Sequence, residues 1–193
     1  MLKDLVRTEA AEETPVSLDE IKRHLRIDHD DDNDLLLELN ATATAELDGY
    51  DGVLGRCLGA QTWVLHLPCF PRGRLQLPLP PLIDVVSIEY VDTDGVSRTV
   101  SAADYVVLDG AIAAVDLASG KSWASTARQA RAVSITFIAG YDPAPEPIKA
   151  AIKLMVGDLY ANPEAQFVAQ GALTVLANRT ADRLIQRYRI PRT

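Results

Sequence analysis

The chain has 193 residues and a mass of 21.0 kDa, the size of one ordinary domain or of one domain carrying a smaller insertion. It is 48% hydrophobic and 24% charged, near the globular average, which excludes bulk disorder and collagen-like structure. Its net charge of −8 disfavours gripping a nucleic-acid backbone, no apolar run reaches the ~18 residues of a membrane span, and MLKDLVRTEAAEE lacks the apolar core expected of a signal peptide.

Residues 1–14 are polar and mixed in charge, with Leu2, Leu5 and Val6 as weak packing residues. Ser17-Leu18-Asp19-Glu20 reads as a capping box, in which Ser17 and Glu20 satisfy each other's backbone N–H. It opens a helix with Leu18, Ile21 and Leu25 on one face, ending near Ile27. A second helix is predicted from about Asp32 to Leu58 through Leu35, Leu36, Leu39, Ala43, Leu47, Tyr50, Leu54 and Cys57, weakened by Gly49, Gly52 and Gly55. Strands are expected at 61–67, 74–77, 83–91, 96–100, 104–108, 111–115 and 132–138, with hairpin turns at Asp94-Gly95 and Asp109-Gly110. Pro147 is placed to start a helix carrying Ile148, Ile152, Met155, Leu159 and Tyr160 on one face, ending before Asn162-Pro163. Residues 164–171 read as a loop and a last helix as about Ala172 to Tyr188.

The order is helices, strands, helices. Helices with one apolar face each need partners, and the two ends of the chain supply them to one another. The expected fold is α+β: a discontinuous helical domain, its N- and C-terminal helices packed together, with an inserted antiparallel β module. The expected parts are residues 1–60, 61–140 and 141–193.

Charge is unevenly spread. Residues 1–48 carry 14 acids and 5 bases, and residues 147–193 carry 3 acids and 7 bases. Such asymmetry orients protein–protein association. In the last helix Arg179, Arg183 and Arg187 recur every four residues, with Tyr188 and Arg189 beside them. These five are the candidate partner-docking residues, since the guanidinium fork suits carboxylates. The competing reading is a solvated face whose cations favour a helix C-terminus.

Other motifs fail on inspection. The run Asp28-His29-Asp30-Asp31-Asp32-Asn33-Asp34 meets a calcium-loop template at alternate acids, but Asn33 stands where Gly is needed and Leu39 where the bidentate Glu is needed. Its acids are expected to cap the second helix. Gly120-Lys121-Ser122 lacks the upstream Gly of a phosphate loop, which is Val115. His24, His29 and His66 form no metal pair, Cys57 and Cys69 read as buried hydrophobes of a chain made in a reducing cytoplasm, and no nucleophile motif is present. No metal, cofactor or catalytic residue is predicted. A rival reading is a ligand- or carbohydrate-binding β module using Trp63, Trp123 and Tyr141; a third is an enzyme whose site is assembled from distant residues.

The order of several pieces resembles the head–tail connector (adaptor) proteins of long-tailed bacteriophages and phage-like gene transfer agents. They are Ser17–Glu20 with His24–Asp28; Gly55-Arg56 and Gln61-Thr62-Trp63; Pro81-Leu82, Val86–Tyr90 and Asp94-Gly95; Val133–Phe137 with Ala139-Gly140-Tyr141; and Pro147–Ile152. The resemblance covers about residues 15–162. It implies a structural, non-enzymatic protein of the virion or phage-like particle, made in the bacterial cytoplasm. It implies a ring, usually twelvefold, of neighbouring protomers that docks under the portal protein, meets a stopper or tail connector, and lets DNA pass without specific binding.

Overall fold

The computed structural model describes residues 4–110, 112–162 and 179–190. The expected loop at 164–171, and residues 172–178 of the expected last helix, lie outside them. The fold is α+β, as the sequence implies, and it divides into two compact units. One comprises the described residues among 1–12 and 59–142; the other comprises Glu13–Leu58 and the described residues from Pro143 onward.

The strand unit holds two antiparallel sheets where the sequence suggests a single module. The larger has the order β1 (Asp4–Glu9), β2 (Gln61–Leu67), β8 (Val133–Ala139), β4 (Leu82–Val91), β5 (Ser97–Thr99). The smaller has the order β3 (Leu75–Gln76), β7 (Ala114–Leu117), β6 (Tyr105–Leu108). Strand β8 alternates buried Val133, Ile135, Phe137 and Ala139 with half-buried residues, the pattern of a strand with one face in the core. Its register sets Phe137 opposite Trp63 and Ile135 opposite Leu65. Strand β4 slips twice against β8, once at Ile83 and once at Val86. These two bulges turn both side chains to solvent.

Strand β1 is the element that the hydrophobic pattern does not announce. It binds the free edge of β2, setting Leu5 opposite Leu65, and Arg131 ties Asp4 to the unit by two hydrogen bonds. The β4–β5 turn is as expected: Gly95 takes a φ of +82°, and Asp92 accepts the amides of Asp94 and Val96 while Arg98 binds its second oxygen.

In the helical unit, α1 (Leu18–Leu25) begins with the predicted reciprocal capping box and ends on Arg26 at a φ of +60°. Helix α2 (Asn33–Leu47) stops eleven residues before Leu58, a correction to the long helix expected. Asp48 leaves helical geometry, Gly49 takes a φ of +77°, and residues 48–58 fold into a compact loop. In that loop Gly49 N–H donates to the Arg56 carbonyl at 2.7 Å and Leu58 N–H to Asp48 Oδ1 at 2.7 Å. Leu54, Cys57 and Leu58 are still fully buried, so their apolar spacing mimics a helix while the glycines permit a tighter path. Helix α3 (Glu146–Ala161) takes Pro147 in its second position and buries Ile148, Ala151, Ile152 and Val156. It packs against α1, α2 and α4 (Arg179–Ile185). The one buried amide of α2, Asn40, donates to Thr14 Oγ1 and to the Val16 carbonyl, holding the segment before α1.

Two outcomes test this account. A Cβ on Gly140 (φ +144°) would stand 1.9 Å from the Gly59 carbonyl oxygen, so Gly140→Ala is expected to cost about 3 kcal/mol of unfolding free energy. Gly73→Ala, with no heavy atom within 4 Å of the added carbon, should be near neutral in the same denaturant titration. The second concerns Glu20, whose carboxyl is held below its ordinary value of 4.5 by the Ser17 amide, with Lys149 and Lys153 adding to the effect and burial opposing it. A depressed carboxylate stabilises the fold above the unfolded value and loses that contribution as pH falls through the folded value. Wild-type stability should therefore fall more steeply below about pH 4.5 than that of Glu20→Gln.

Candidate partner-docking surface

The basic stripe is present, but it is broken. Helix α4 ends at Ile185 and residues 186–188 form a 3₁₀ turn, so Arg187 does not continue the helical register of Arg179 and Arg183. Ala181 and Ile185 are buried, which fixes the opposite face of α4 outward and leaves Arg179 and Arg183 exposed. Neither has an ion-pair partner among the described residues.

The turn end is more constrained. The Arg187 guanidinium lies over the Tyr188 ring, 4.9 Å from its centroid, and donates to the Tyr188 hydroxyl at 3.0 Å. Arg189 donates to Asp182 at 2.9 Å, both groups being well exposed, an arrangement of small net value in water. Two bonds moor this end to the loop after α2: Arg56 Nε donates to the Tyr188 carbonyl at 2.5 Å, and Ile190 N–H donates to the Leu54 carbonyl at 3.0 Å. Arg56 is the residue that sequence reasoning missed as a support of this surface. Its partner lies 132 positions away, and the local signal is the Gly55-Arg56 pair, where Gly55 takes a φ of +63° and a Cβ added to it would lie 3.7 Å from Ile190 Cβ.

The acidic run does not cap α2 as expected. Asp32, in the cap position, makes no side-chain bond to the helix; instead it accepts the Tyr160 hydroxyl at 2.5 Å, which raises the tyrosine's pKa. Lys22 Nζ binds Asp30 Oδ1 at 2.6 Å and Asn33 Oδ1 at 3.0 Å, and this bond holds the Asp30 carboxyl below its usual range. Among the described residues no group of three or more His, Cys, Asp or Glu is arranged to hold a metal ion.

The other sequence candidates fall elsewhere. Lys121 of the phosphate-loop echo pairs with Asp104 at 2.6 Å and lies in a loop after β7, not at a helix start. Trp63 is 7% exposed in the buried face of β2. Trp123 is stacked on Phe70 at 4.6 Å and 5°, and Phe70 meets the Tyr90 ring edge-on at 5.7 Å, so one flat face of the half-buried Trp123 ring is covered by protein. Tyr141 is half-buried. Cys57 is buried as expected, but Cys69 is exposed in the loop between β2 and β3. Among the described residues no helix is long and apolar enough to cross a membrane.

Residues 15–62 match the family of phage gp6-like head-tail connector proteins. The match runs from the capping box of α1 through α2 and its closing loop to the start of β2, and so includes Arg56. The fold is similar to a chain in the neck of an empty gene transfer agent particle computed with C6 symmetry, with a TM-score of 0.74, 23% identity, and 98% of this chain and 96% of that one covered. It is also similar to a chain in the virion of a native gene transfer agent particle (TM-score 0.73, 23% identity, 98% and 97% covered). A third is in the neck of a native particle computed with C12 symmetry (0.71, 22%, 98% and 96%). Comparison with curated proteins finds no match. The resemblance to head–tail connectors read from the sequence is borne out by the family match and by this likeness of fold.

Arg56→Ala should loosen the moored end of the surface. The expected cost is about 2 kcal/mol, that of a charge-assisted bond to a part-buried carbonyl, with faster hydrogen exchange at the Ile190 amide and little change in the strand unit.

Proposed function

We propose that this chain is a structural head–tail connector of a phage-like particle. It docks beneath the portal as a ring, extends the DNA channel, and presents its far side to a stopper or tail component. The observation that carries this reading is the likeness of fold along 98% of the chain to a protein of a gene transfer agent neck, together with the connector-family match at residues 15–62. A twelvefold ring is the arrangement in keeping with the C12 symmetry of one such neck. The protein acts without catalysis, its place is the virion or phage-like particle, and it is made in the bacterial cytoplasm.

The physics agrees with the role. A chain of net charge −8 lines a channel without holding the duplex, because like charges repel along the phosphate backbone. The basic surface of Arg179, Arg183, Arg187, Tyr188 and Arg189 is the docking surface for acidic partners, with its turn end, Arg187, Tyr188 and Arg189, meeting the portal. Its carbonyl moorings hold the turn end in one conformation, so little ordering entropy is lost on docking.

The test is size exclusion with light scattering on the chain mixed with the portal of the same particle. A ring-sized complex is expected, weakened by salt. Arg187→Glu with Arg189→Glu should lower portal affinity at least about tenfold by placing like charges against the rim, with the thermal midpoint little changed. A chain that ignores the portal at low and moderate salt refutes the connector role; unchanged binding by the double variant refutes the docking surface.

A further inference from the structure

We infer that the exposed face of α2 is a docking surface for a second copy of the chain, and that the element seated on it is the outward face of α4. The inference rests on the connector reading, which requires contacts between copies, and it assigns the α4 half of the basic surface to a neighbouring protomer and the turn end to the portal.

Helix α2 buries Leu36, Asn40, Ala43 and Leu47. The side turned away carries Leu35 and Leu37, exposed at 45% and 48%, and between them the line Asp34, Glu38, Ala41, Ala45, all exposed. Leucines left in water at this level on an amphipathic helix lose the burial that a partner would supply, about 25 cal/mol for each Å² covered. Ala41 and Ala45 present no long side chain, so another helix can approach closely. Asp34 and Glu38 stand one helical turn apart, and neither has an ion-pair partner among the described residues.

The complementary face is on the same unit. Arg179 and Arg183 of α4 also stand one turn apart, exposed and without an ion-pair partner among the described residues. Two carboxylates and two guanidiniums at equal spacing can pair one to one across two helices. Within one copy they belong to different helices that both pack on α3 by their opposite, buried faces. A contact between unlike patches of identical chains repeats from copy to copy, and it closes into a ring where the rotation allows. The other exposed acids before α2, Asp28 and Asp31, extend the negative field toward an incoming α4.

The test is sedimentation velocity on the full chain at rising concentration, in low and moderate salt, with two variants: Asp34→Lys with Glu38→Lys, and Arg179→Glu with Arg183→Glu. The wild type is expected to self-associate reversibly, less so as salt rises, because exposed pairs are screened beyond about 10 Å at 0.1 M. Each variant alone should associate at least about tenfold more weakly, since like charges then face each other. An equimolar mixture of the two should regain association, because each reversed face finds its complement on the other variant. That recovery also shows both variants folded. A wild type that stays monomeric at every concentration in low salt, variants that associate like the wild type, or a mixture that regains nothing each overturn the inference. Its failure is separable from that of the connector reading: a chain that joins the portal in a ring-sized complex with either reversal alone in place retires only the α2–α4 contact, whereas self-association through these faces with no portal binding retires only the connector role.

Discussion

The helical unit depends on one burial, that of the inner face of α3. Ile148, Ala151, Ile152 and Val156 are all fully enclosed, and each large aliphatic side chain so placed contributes about 2 kcal/mol. No neighbour in sequence can cover that face. It is covered by α1 and α2, which precede it by about a hundred residues, and by α4, which follows. Because α4 is bound by Ala181 and Ile185, its arginines have only the outward side left to them. The exposed basic surface is thus a consequence of the core.

The same requirement shapes the chain path. Residues from both ends must meet, so the strand unit is inserted between them. At the return from that unit, Gly140 passes the Gly59 backbone with no room for a side chain. In the strand unit β8 plays a role similar to that of α3: paired on both sides, by β2 and β4, it buries every second residue. Lys22, Arg74, Arg98, Lys121 and Arg131 are each engaged with an aspartate, whereas Arg179 and Arg183 of α4 and Asp34 and Glu38 of α2 have no such partner among the described residues.

Local rules made much of this legible in the sequence. The capping box of Ser17 and Glu20 is a pattern of four adjacent residues, and it forms as read. Alternation in QTWVLHL and in the segment around Val133–Ala139, and the glycine of the Asp92–Val96 turn, act over a few bonds and were equally plain. So was the α+β order of helices, strands and helices.

What the tertiary structure decided is long-range. Strand β1 has no hydrophobic alternation of its own and exists because β2 offers an unpaired edge. Helix α2 ends at Leu47 because three glycines let a tight loop bury Leu54, Cys57 and Leu58 at lower backbone strain than a continued helix permits. The aspartates before α2 are satisfied by Lys22 and by Tyr160, the latter 128 positions distant, not by the helix they precede. Arg56 supports the basic surface through a carbonyl that only the folded chain brings within reach. A sequence determines by itself what neighbouring residues do to one another. Which distant groups meet is settled when the burial of α3 and β8 brings the two ends of the chain together.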